Sequence, residues 1–103
     1  MPGENDKIAK NLQMLEWLKG ELVESVGKLL KAMVNGSEKL ILDALSAILM
    51  TVYLLAKRLG ISFTSLEASC QQKIVEQIKE NHEAQAWYGD LDELLEFMKS
   101  KKR

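Results

Sequence analysis

Apolar residues recur along this chain at helical spacing, and no segment shows the alternation with a period of two that marks a strand. Leu15, Leu18, Leu22, Val26, Leu29 and Met33 form one stripe of a helix predicted from about Asn5 to Val34, and a break near its start would divide it in two. Glycines punctuate the rest of the chain, in NGS at 35–37, GIS at 60–62 and YGD at 88–90, each where a helix should stop. A second helix is predicted from Ser37, its N-cap, to about Leu59. Thr64-Ser65-Leu66-Glu67 fits a capping box opening a third, which ends near Asn81 with Leu66, Cys70, Ile74 and Ile78 facing inward. Asp90-Leu91-Asp92-Glu93 fits another box, opening a short last helix with Leu91, Leu94, Leu95 and Met98. The expectation is an all-α bundle of four or five helices forming one domain over residues 1–103.

The second helix changes this picture, because residues 40–56 (LILDALSAILMTVYLLA) are apolar nearly all the way round. Such a helix must be surrounded, and so short a chain supplies too few other helices to do it. A homodimer or homotetramer that completes the bundle is therefore expected. A bilayer is the other environment that would suit the helix. Spanning takes roughly 20 apolar residues, and this run is shorter and interrupted by Asp43, Ser46 and Thr51, so no membrane partner is expected. Asp43 is the one charge in the run, and a carboxylate in apolar surroundings needs a cation, hydrogen bonds or water.

Composition narrows the function classes. A formal net charge of −1, with the basic run KSKKR confined to the end of the sequence, gives no field for a nucleic-acid polymer. The single cysteine, Cys70, excludes an internal disulfide, fits a reducing compartment and is expected as a small core residue. The only histidine, His82, lies too far along the same predicted helix to activate that thiol. His82, Trp87 and Tyr88 are expected to serve the docking of the last helix. MPGENDKIAK lacks the pattern of a signal peptide, which points to the cytoplasm.

On a wheel of about 100° per residue, Trp17, Glu21, Glu24 and Lys28 fall within about 60° of one another beside the apolar stripe. If the first two helices pack antiparallel through the NGS turn, Asp43 comes near Glu21 and Glu24. Three carboxylates converging inside a helical bundle would suit a hard cation with oxygen ligands, Mg²⁺ or Mn²⁺ in its place. The plainer alternative pairs Glu24 with Lys28 on a solvated face.

These residues resemble the acidic motifs of the MazG-like, all-α nucleoside triphosphate pyrophosphohydrolases, EExxE on one helix and ExxD on the next. The corresponding stretches are GELVE at 20–24 and LILD at 40–43, and the similarity runs through YLLAKRLGIS at 53–62 to cover roughly residues 12–80. Glu21, Glu24 and Asp43 keep acidic positions of the pattern, whereas Gly20 and Leu40 replace two others. On the wheel Glu38, the nearest acid to Leu40, lies about 140° from Asp43, and Glu16, the nearest acid before Gly20, about 140° from Glu21 and about 80° from Glu24. The resemblance implies that Glu21, Glu24 and Asp43 are Mg²⁺ ligands or the base for an attacking water. Trp17, Lys28 and Lys73 would be substrate-binding, and a nucleoside triphosphate would be cleaved to the monophosphate and pyrophosphate. With two acidic positions gone, a second implication stands beside it: a catalytically silent helical oligomer that binds nucleotides or proteins.

Overall fold

The computed structural model describes residues 2–81 and 83–101, and among them it contains five helices and no strand. They are α1 (Pro2–Asn35), α2 (Glu38–Arg58), α3 (Phe63–Lys79), α4 (Glu83–Tyr88) and α5 (Asp90–Ser100). The all-α expectation holds. The chain divides into two compact units, residues 1–63 and 64–103. His82 and the last two residues of the basic tail lie outside the described residues.

The first unit is a hairpin of α1 and α2. α1 is continuous, with no break near its start. It ends where Gly36 turns to a positive φ of 73° and donates its N–H to the Ala32 carbonyl at 2.9 Å. Ser37 then caps α2, its hydroxyl accepting from the Leu40 N–H at 3.3 Å, as its position in the sequence predicts. At the far end, Ile61 donates to the Ala56 carbonyl at 2.8 Å and Gly60 to Lys57 at 3.1 Å, with Gly60 at φ 84°. This is a Schellman stop. Phe63 then packs edge-on against Tyr53 of α2, with ring centroids 5.5 Å apart.

The hairpin's seam differs from the predicted stripe. Among the buried and half-buried residues, Asn11, Leu15, Leu18, Leu22, Ser25, Leu29 and Ala32 run along α1, and Ile41, Ala44, Ile48, Thr51, Leu55 and Arg58 follow the Ser37 cap along α2. Both sets step alternately by four and three residues, the spacing of helices wound about each other. Leu18 is almost wholly enclosed, while Val26 and Met33 of the predicted stripe are 40% and 57% exposed. Small residues dominate the buried positions, with Ser25, Ala32, Ala44 and Thr51 among them. They let the two backbones approach closely. Thr51 satisfies its hydroxyl by donating to the Ala47 carbonyl at 2.7 Å.

α1 covers one side of α2 and leaves Leu42, Leu45, Leu49 and Met50 exposed on the other. α2 is long and apolar enough to cross a membrane by length and composition, with 17% of its apolar window buried. Its partner α1 carries charges from Glu16 to Lys31, however, and a bilayer around the hairpin would have to take those in as well.

In the second unit, α3 buries Ile74 and half-buries Leu66 and Ile78, and α5 buries Met98 with Leu91 and Leu95 beside it. Cys70, expected inside, is exposed. α3 ends through Asn81, which adopts a left-handed φ of 58°. α4 inserts one further short helix, whose Trp87 and Tyr88 stack edge-on at 6.3 Å and stay largely exposed. The Asp90 box does not form: α5 starts at Asp90 itself, with Gly89 as its N-cap and no side-chain cap bond. Lys101, after α5, reaches Glu67 at 2.6 Å and ties the end of this unit to its beginning.

Candidate functional site

α1 and α2 enclose a groove of about 480 Å³ along one edge of their seam. Glu21, Ser25, Lys28, Lys31 and Asn35 line it from α1, and Leu40, Asp43, Ala44 and Ala47 from α2. Glu21 and Asp43 therefore flank one space, as the antiparallel packing predicts. Glu24 lines a neighbouring, shallower depression on the surface of α1, together with Gly27, Lys28 and Lys31. The two lysines stand on the ridge between the two spaces. Between Glu21 and Asp43 the groove wall is made by small side chains: Ser25 and Ala44 are each 6% exposed.

Asp43 itself is exposed, so the desolvation implied by its apolar stretch of sequence does not arise within one chain. The helical repeat turns it away from the seam, while its apolar neighbours distribute themselves around the rest of α2. Trp17 is also exposed and lines neither space. Lys73 belongs to α3 in the second unit, beside Ser69, Gln72 and Glu76 on its own helix face. Lys31 and Asn35 are the groove residues that sequence reasoning missed. Their signal was present, because both continue the Trp17-Glu21-Glu24-Lys28 stripe by one and two further turns.

A resident Mg²⁺ wants several oxygen ligands in near-octahedral geometry. Among the described residues, no three His, Cys, Asp or Glu side chains are grouped to hold a metal ion. Leu40, which lines the groove, offers no oxygen, and the two carboxylates share their space with two ammonium groups. Two carboxylates fall short of an all-protein cage, though they match the one or two that hold a Mg²⁺ shared with a ligand's phosphates. What the groove can do is present separate positive and negative groups, over a floor of small residues, to a ligand carrying charge.

A long helical hairpin with a groove of mixed charge along its seam, followed in sequence by a smaller helical unit, makes this an all-α protein. The model of the family described as MazG-like matches residues 8–91, which is most of the chain and includes both helices of the hairpin. The protein belongs to the MazG-like family. Comparison with curated proteins and with solved structures returned no match.

Proposed function

We propose that this chain is a nucleotide-binding member of the MazG-like family, in which the α1–α2 groove takes the phosphates of a nucleoside triphosphate and pyrophosphohydrolase chemistry is silent. One observation carries the reading: Leu40 lines the groove one turn before Asp43, so the lining offers only Glu21 and Asp43 as carboxylates, beside Lys28 and Lys31, where the family's acidic pattern would supply more. The family match supports the class of ligand. The exposed apolar face of α2 supports a homodimer or homotetramer, since a face of Leu42, Leu45 and Leu49 without charge suits a second copy of itself. A cytoplasmic protein without nucleic-acid or membrane partners completes the proposal.

A second reading is favoured by the fact that Glu21 and Asp43 do share the groove. Here the nucleotide arrives with its own Mg²⁺, and Glu21 and Asp43, with Glu24 nearby, orient the hydrated complex and accept a proton from the attacking water. Incubation of the purified protein with nucleoside triphosphates and Mg²⁺, assayed for pyrophosphate, separates the two. The first reading expects release at the level of a buffer blank. Release that Asp43→Asn abolishes would establish the second.

A further inference from the structure

Lys28 and Lys31 are one helical turn apart, and neighbours at that spacing project their side chains to the same side, roughly 5–6 Å apart at Cβ. Both line the groove and both are exposed, free to swing over its mouth. Among the described residues neither ammonium is engaged in an ion pair, although Glu24 lies four residues before Lys28. Two unpaired ammonium groups beside a lining that offers only two carboxylates make a space of balanced charge. Net charge then favours neither a free cation nor an anion, and what the two unpaired ammonium groups add is a pair of ready donors for an anion.

We infer that Lys28 and Lys31 hold the polyphosphate directly, so that it binds the groove without a divalent cation. This rests on the nucleotide-site reading above and assigns the charge-neutralising role within it. Lys28 and Lys31 contact the phosphate oxygens as charge-assisted donors, and Asn35, on the same stripe, supplies an uncharged amide at the end of the groove. Glu21 and Asp43 then oppose the ligand instead of serving it, since their charge repels the phosphates. The sign of the Asp43 effect is set by that repulsion. In a metal-bridged site, losing the Asp43 charge weakens binding; in a lysine-held site it strengthens binding.

Isothermal titration with inorganic tripolyphosphate and with a non-hydrolysable nucleoside triphosphate, in EDTA and again in Mg²⁺, tests the inference. The expected result is binding in EDTA that rising salt weakens. The Lys28→Ala/Lys31→Ala double variant should lose on the order of tenfold or more in affinity, and Lys28→Arg/Lys31→Arg should retain it. Asp43→Asn should tighten binding by about threefold in EDTA. All three residues are exposed or at the groove edge, and circular dichroism confirms that each variant is folded. Binding that appears only with Mg²⁺, falls with Asp43→Asn and ignores the lysine changes would overturn the inference while leaving the nucleotide site standing. No binding of either probe under any condition would overturn both.

Discussion

Asn11 and Arg58 grip one another across the open end of the α1–α2 hairpin. The Asn11 side-chain amide donates to the Arg58 carbonyl at 3.3 Å, and the Arg58 guanidinium donates back to the Asn11 amide oxygen at 3.4 Å. These residues lie 47 positions apart in sequence, at the last seam position of each helix. The carbonyl so engaged is one of those that a helix leaves unsatisfied in its final turn. The pair therefore closes the end of α2 and fixes the register of the hairpin along its length.

Asn11→Ala should destabilise the protein by about 1 kcal/mol, since it removes two part-buried hydrogen bonds and exposes a helix end. Hydrogen exchange should localise the loss, with the amides at the Arg58 end of α2 and the start of α1 exchanging faster than those near Gly36. Uniform acceleration over both helices would instead mark a general loss of packing.

The small residues of the seam set how closely the helices approach. Ala44→Leu forces extra volume against a backbone already close and should lower stability by about 1–3 kcal/mol, read from urea unfolding. Leu42→Ala, on the outward face of the same helix, removes as many carbon atoms from an exposed position and should cost far less within a single chain.

Gly20 and Gly27 sit inside α1, and a Cβ at either would meet nothing within 4 Å. Gly20→Ala and Gly27→Ala should each stabilise by about 0.5–1 kcal/mol, mostly by restricting the unfolded chain. A rise in melting temperature for both would confirm that this face of α1 is open. A fall at either position would show that something in solution approaches the backbone there.

Assembly is expected from the uncovered side of α2. Light scattering at micromolar concentration should report a dimer or tetramer, and Leu45→Lys/Leu49→Lys should reduce it to a monomer with the helical signal retained. A well-folded wild-type monomer would refute the assembly.

Much of this fold was legible in the sequence because helices announce their ends. Ser37, Gly36, Gly60 and Asn81 all sit where local chemistry demanded a stop or a cap, and those signals act over a few residues. The seam was harder to read. A wheel turned at 3.6 residues per turn drifts across a contact stripe that repeats every 3.5, so Val26 and Met33 were placed inside and Ser25 and Ala32 overlooked. Size misled in the same direction, because close helix packing selects small residues while a hydrophobic stripe draws attention to large ones. Cys70 and Asp43 show the third limit: burial belongs to the packed face and not to the residue's neighbours in sequence. For the site, sequence brought Glu21 and Asp43 to one place but could not show that Glu24 would line a separate depression; Lys31 was legible as the next turn of the Glu21-Glu24-Lys28 stripe.

The two-residue link at Gly36 and Ser37 has a kinetic consequence. Contacts next to the turn close a very short loop, and each successive seam layer then closes against one already formed. The hairpin can zip from Ala32 outward, with the Asn11–Arg58 clasp as its final stitch. Gly36 substitutions should slow folding, because only a residue comfortable at positive φ starts the zipper promptly, whereas changes at Asn11 should leave the folding rate alone and speed unfolding. The seam is thus read by the chain in order, from the bend to the tips.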